Sequence, residues 1–162
     1  MPATKKAPAA VPRPQFVKIS AKGKPLAPGA KTWAAFGVVG YRDSDGCGLM
    51  FMANDLGRHT WEKSGQVIRD SRLLGCDDWF QPDDMQGQLF LDRARPYPRC
   101  HTEFYRGETG WMWVNKEVAS YSGCAWCVGL GYGGVRIYNR TYGGLAVGCR
   151  RVSPSQCLDL GL

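Results

Sequence analysis

Residues 121–139 read Tyr-Ser-Gly-Cys-Ala-Trp-Cys-Val-Gly-Leu-Gly-Tyr-Gly-Gly-Val-Arg-Ile-Tyr-Asn, and their alternation decides the class of the fold. At a period of two, Trp126, Val128 and Leu130 fall on one face of a strand and Cys127, Gly129 and Gly131 on the other. Beyond a Gly133-Gly134 turn, Val135 and Ile137 alternate with Arg136 and Tyr138; further on, Leu145 and Val147 alternate with Ala146 and Gly148. The large apolar members of each set predict sheet faces turned to a core. The remaining members predict an outward surface. From 118 to 153 the chain holds eight Gly, four Tyr, three Cys and four Arg, with no Asp, Glu, Lys, Gln, Met, His, Phe or Pro. A merely solvated sheet would carry Lys, Glu, Thr or Gln. Tyr, Gly, Ser and Asn are instead what antibody loops use, because Tyr gives large, stiff contact area and the small residues adapt around it.

Working outward, Phe16–Ile19, residues 32–39 and residues 48–52 read as short strands. Helical spacing runs from 61 to 74, where Trp61, Gly65 and Ile68 recur and Gly75 stops the run. A second helix is predicted over 83–93, with acids at its start, Met85, Leu89 and Phe90 on one stripe, and Pro96 beyond its end. The class is therefore α+β, with helices in the first half and an antiparallel sheet dominating the second. Residues 1–15, rich in Pro, Ala and Lys, predict a disordered basic tail. Residues 16–153 form the folded body, and 154–162 are expected to be a C-terminal tail.

The chain has 162 residues and a formal net charge of +7, but that charge is not spread over the body. Residues 1–31 hold seven Lys and Arg and no acid, which leaves 14 basic and 14 acidic side chains for the other 131 residues. A neutral body argues against a nucleic-acid-binding face; a basic tail suits docking to an acidic neighbour. No apolar run reaches the roughly 18 residues of a membrane span, and the broken, proline-rich start does not read as a signal peptide. Seven cysteines, an odd number, predict free thiols rather than a disulfide framework.

A family resemblance gathers these segments. Thr60-Trp61-Glu62-Lys63, the run Arg72-Leu73-Leu74-Gly75-Cys76-Asp77-Asp78-Trp79, and Trp111-Met112-Trp113 are three of its marks. Ala125-Trp126-Cys127-Val128-Gly129-Leu130, Gly134-Val135, Asn139-Arg140 and the closing Val147-Gly148-Cys149-Arg150-Arg151-Val152 complete an ordered set. The set resembles the Lcl carboxy-terminal-like domain family over residues 16–153. The chain departs from that pattern at Phe80-Gln81, where the family has Arg-Leu, and at Asn115-Lys116, where it has Ser-Thr. The resemblance implies a C-type-lectin-like fold, two helices flanking a small twisted antiparallel sheet, and binding rather than catalysis. Domains of this kind occur in bacterial adhesins and at phage fibre tips, and some are diversified by retroelements that rewrite adenines. Asparagine codons rewritten in that way yield Tyr, Gly, Cys, Ser and Arg but never Lys, Glu, Gln, Met or Trp. The outward positions of 121–144 obey that restriction, and Trp126 stands at a scaffold position.

The expected ligand surface comprises Tyr121, Ser122, Cys124, Cys127, Gly129, Gly131, Tyr132, Arg136, Tyr138, Asn139 and Tyr142. Its expected target is a host-surface protein or glycan. The expected setting is a virion surface or, alternatively, a bacterial cytoplasm or cell surface, with a trimer by analogy with fibre tips. The alternative role is structural: a virion decoration or tail protein whose basic N-terminal segment docks to a scaffold. No cofactor and no metal are expected. Cys124 and Cys127 lie three apart and so diverge in a strand, with no second pair to complete a zinc site. Asp43-Ser44-Asp45-Gly46 reads as a turn, and Asn54-Asp55 lacks partners for a calcium loop. His59, His101 and the Asp77-Asp78 pair belong to no catalytic motif, so no enzyme is expected.

Overall fold

A computed structural model describes residues 15–162. Residues 1–14, nearly all of the expected basic tail, lie outside the described part. Among the described residues, nine strands form two sheets. Strands β1 (Phe16–Ile19), β2 (Ala35–Val38), β3 (Gly48–Met52) and β9 (Cys149–Val152) make an antiparallel sheet in the order β1-β2-β3-β9. Strands β4 (Arg58–His59), β5 (Trp111–Glu117), β6 (Cys124–Gly129), β7 (Gly134–Asn139) and β8 (Gly144–Leu145) make the second, in the order β4-β8-β5-β6-β7. Its one parallel contact is Met112 with Leu145. The α+β class is thus observed, with mostly antiparallel strands and three helices.

Phe36, Phe51, Phe90 and Tyr105 form a chain of ring contacts at 4.6–5.6 Å between centroids. The steeply inclined contacts among them present ring edges to ring faces, an arrangement worth about 0.5–1.5 kcal/mol per pair beyond area burial. Met112, Val114, Val128, Leu130 and Leu145 bring the inner face of the second sheet into this main core.

Helix α1 is Trp61–Asp70, capped by the Thr60 hydroxyl, which accepts from the Lys63 backbone N–H. It is shorter than the 61–74 expected from periodicity. Ser71 leaves the helical region at ψ 144°, and a 3₁₀ turn follows over Leu73–Gly75 in which Leu74 has φ +60°. Helix α2 is only Asp84–Gly87, begun by a reciprocal capping box between Asp83 and Gln86 and continued as a 3₁₀ turn over Gln88–Phe90. The predicted stripe fails here, since Met85 is 71% exposed and only Phe90 of the three is fully buried. Gly87 explains why α2 can lie against the sheet: a Cβ there would stand 2.7 Å from Val114 Cγ1.

The expected C-terminal tail is instead helix α3, Pro154–Leu160. Its ends carry the usual signals: Ser153 and Gln156 form a capping box, Pro154 sits in the first turn, and Gly161 closes it at φ +72°. Cys157 and Leu160 are buried, and a Cβ on Gly37 or Gly48 would come within 2.5 Å of Leu162 or Cys157. Those two strand glycines let α3 and Leu162 lie flat on the outer face of the first sheet, so β2 and β3 are buried on both sides.

Candidate aromatic bowl on the second sheet

The outer face of the second sheet is built from the alternate residues that do not enter the main core. Register pairs Trp111 with Gly129 and Trp113 with Cys127 across β5 and β6. Across β6 and β7 it pairs Cys127 with Arg136, Ala125 with Tyr138 and Gly129 with Gly134. Cys127 does face away from Val128 as the alternation requires, but it is not on the surface. Its relative exposure is 0%, because Trp113, Ala125 and Cys127 form a second small core sealed by Trp61, Trp111 and Tyr138. Cys127 is therefore corrected from a contact residue to a packing residue. Desolvation pushes its thiol up to about 12, so it stays protonated and unreactive at neutral pH. Ile137, expected inward, is 44% exposed, since β7 is the edge of the sheet and nothing flanks it.

At the Gly129 end this face opens into a bowl of about 190 Å³. Gly129, Gly131 and Gly134 lie low in it; a Cβ on Gly131 would be 2.7 Å from the Tyr97 ring and 3.1 Å from the Thr109 carbonyl oxygen. The walls are aromatic: Tyr97 and Tyr132 meet at 5.3 Å, Trp111 and Tyr138 at 4.6 Å, and Tyr142 stands 6.4 Å from Tyr138. Tyr132 is 79% exposed. Arg136 lines the same bowl, is exposed, and forms no ion pair among the described residues. Gly144 lets the rings settle, for a Cβ there would strike Trp111 and come 2.8 Å from Trp113 Nε1. The Trp113 indole N–H donates to the His59 carbonyl at 2.8 Å, which fixes the second core beneath the rings.

Of the expected surface, Gly129, Gly131, Tyr132, Arg136 and Tyr138 come together here, and Tyr142 adjoins them. Tyr121, Ser122, Cys124 and Asn139 lie at the other end of β6 and β7. There Cys124 pairs with Asn139, and the Asn139 Oδ1 accepts from Thr141. Tyr97, Thr109 and Trp111 complete the bowl and were not expected in it. Trp111 stood in the sequence only as one of the marks of the resemblance, and nothing periodic singles out Tyr97 between two prolines.

The other candidates resolve into structural roles. Asp78 grips Arg150 through two hydrogen bonds of 2.6 and 3.2 Å, which hold its carboxyl below the usual carboxylate range. Asp43 and Asp45 both accept from Arg151, and Asp43 also closes its turn onto the Cys47 and Asp45 backbone N–H groups. Asp55 accepts from the Tyr105 hydroxyl at 2.9 Å, and burial together with that carboxylate pushes the phenol up. His101 is buried against the Phe16 ring, and desolvation lowers its pKa. No group of three or more metal-ligating side chains occurs among the described residues. No described helix is long and apolar enough to cross a membrane. No family model matches the chain, and no curated protein matches it.

Proposed function

We propose that this chain is a ligand-recognition domain of C-type-lectin-like architecture that grips a host-surface protein or glycan through the aromatic bowl. The observation that carries the proposal is the bowl itself: open Tyr and Trp rings above a glycine base, with an unpaired guanidinium at hand. Large rings on a rigid sheet supply contact area at little entropic cost, and Arg136 supplies directional donors. The exposure of Tyr132 and Arg136, neither of which belongs to either core, supports a diversified surface, since both can change without disturbing the packing beneath. The lectin-like reading draws support from the first and last strands sharing one sheet, with helices and the second sheet inserted between them.

The test compares the intact chain with Tyr132→Ala and Arg136→Gln on glycan and host-surface protein arrays. Each substitution should weaken binding about tenfold or more while leaving Tm unchanged. Binding that survives both changes but is lost when Lys22, Lys24 and Lys31 are neutralised would replace recognition by docking through the basic segment.

A further inference from the structure

We infer that a second cleft, between α1 and the strand end at Asn115, binds an acidic peptide segment independently of the bowl. The cleft encloses about 340 Å³ and is lined by Trp61, Gly65, Arg69, Phe80, Gln81 and Asn115. Three polar side chains in it are unengaged. Gln81 is 8% exposed, and its Nε2 is buried with no hydrogen-bond partner. Its Oε1 lies on the Gly65 side, 3.1 Å from where a Cβ of that glycine would be, and Arg69 Nη1 is equally close to the same point. With Nε2 sealed beneath it, Oε1 is the atom that a ligand in the cleft would meet, and it is free to accept a hydrogen bond. Arg58, Arg140, Arg150 and Arg151 each hold a carboxylate; Arg69, exposed on the cleft, holds none among the described residues. Asn115 is anchored by its backbone N–H to the Pro82 carbonyl at 2.7 Å, which leaves its amide at the surface.

This chemistry fits a peptide. A carboxamide offers one acceptor and two donors, the complement of a peptide bond, and turning it over exchanges the two ends. Gln81 Oε1 thus suits a main-chain N–H and the exposed Asn115 amide a peptide group, while Arg69 calls for a carboxylate. Glu62, near the other end of the cleft, sets the polarity, so the acid binds toward Arg69. A sugar ring would want an open aromatic face, and one face of Trp61 is covered by the Arg140 guanidinium at 4.4 Å.

The test is titration of the ¹⁵N-labelled full chain with acetyl-Ala-Gly-Asp-Gly-Ala-amide, its Asn counterpart, and acetyl-Ala-Gly-Ala with a free C-terminal carboxylate. The Asp peptide should shift the side-chain amide signals of Gln81 and Asn115 and the Arg69 Nε–H. The Asn peptide should bind about tenfold or more weakly, as should the Asp peptide to Arg69→Gln, because a charge-assisted pair is lost. Comparison with the free-carboxylate peptide separates a side-chain acid from a chain terminus. Gln81→Leu, close in size, should lose binding without losing the fold. Equal affinity for the Asp and Asn peptides, no shift at millimolar peptide, or shifts with glucuronate alone would overturn the proposal. Shifts confined to Tyr132 and Arg136 would do the same while leaving the bowl in place.

Discussion

Two buried helical glycines should respond differently to alanine, one tolerating it and the other not, and the structure supplies the reason for each. Replacing Gly by Ala inside a helix gains about 0.5–1 kcal/mol from chain entropy alone. At Gly65 the new Cβ would stand 3.1 Å from Arg69 Nη1 and from Gln81 Oε1, the far ends of long side chains. Arg69 can swing into solvent and Gln81 can retreat by a few tenths of an ångström. Gly65→Ala should therefore be neutral or stabilising, by up to about 1 kcal/mol. At Gly87 the Cβ would meet Val114 Cγ1 at 2.7 Å and Val128 Cγ2 at 3.1 Å. Both valines are fully buried on paired strands, and β-branched side chains have little freedom about χ1. The short helix α2 must then lift from the sheet, an overpacking cost of about 1–3 kcal/mol that exceeds the helix gain. Urea unfolding followed by tryptophan fluorescence measures both changes. The Gly87→Ala midpoint should fall while the Gly65→Ala midpoint holds or rises, both at constant slope, with Tm shifts of about 2–4 °C per kcal/mol for a chain of this size. A Gly87→Ala protein as stable as the parent would refute the claim that this glycine sets the helix-to-sheet spacing.

Three further outcomes follow from the same packing. With a thiol reagent at pH 8, the half-buried Cys47, Cys76 and Cys124 should react in the native state, while Cys127 and Cys149, both with raised pKa values, should react only after unfolding; prompt labelling of Cys127 would remove the second core. Asp78 has a lowered pKa because Arg150 hydrogen-bonds its charged form. Its contribution is thus complete above the ordinary aspartate value of about 4 and is lost as pH falls through the lowered value. Asp78→Asn should be less stable at neutral pH and lose less on acidification, which pH-dependent urea midpoints will show. Across natural variants, substitutions should gather at Tyr132, Arg136 and Tyr142 and spare Trp126, Val128, Leu130 and Cys127; an invariant Tyr132 beside a changing Cys127 would contradict the diversified surface.

A short apolar run located β3 to the residue, and alternation placed Val128 and Cys127 on opposite faces of β6. It could not tell that the face bearing Cys127 has a core of its own, because the residues that seal it, Trp61 and Trp111, come from other elements. Periodicity also overran both helices. Leu74 keeps helical spacing, yet its backbone adopts φ +60°, and the interruption at Ser71 is a matter of hydrogen bonding rather than hydrophobicity. Helix α3 is signalled by Ser153, Pro154, Gln156 and Gly161, cap residues that lie at and beyond the end of the 16–153 pattern and so are not part of it. The bowl was half legible. Its tyrosines and glycines declared themselves by composition, whereas Tyr97 and Trp111 arrive from distant segments and only the folded chain brings them alongside.

The first sheet has a consequence for synthesis. Strand β3 ends at Met52, and its outer partner β9 begins at Cys149, so the ribosome must add the whole second sheet before the pairing can close. At about 5–20 residues per second that interval lasts roughly 5–20 s, during which an apolar strand waits with one edge bare. Such an edge invites pairing between nascent chains. Yield in a cell should therefore depend on translation rate and on chaperones that shield Leu49 and Phe51 until the closing strand emerges.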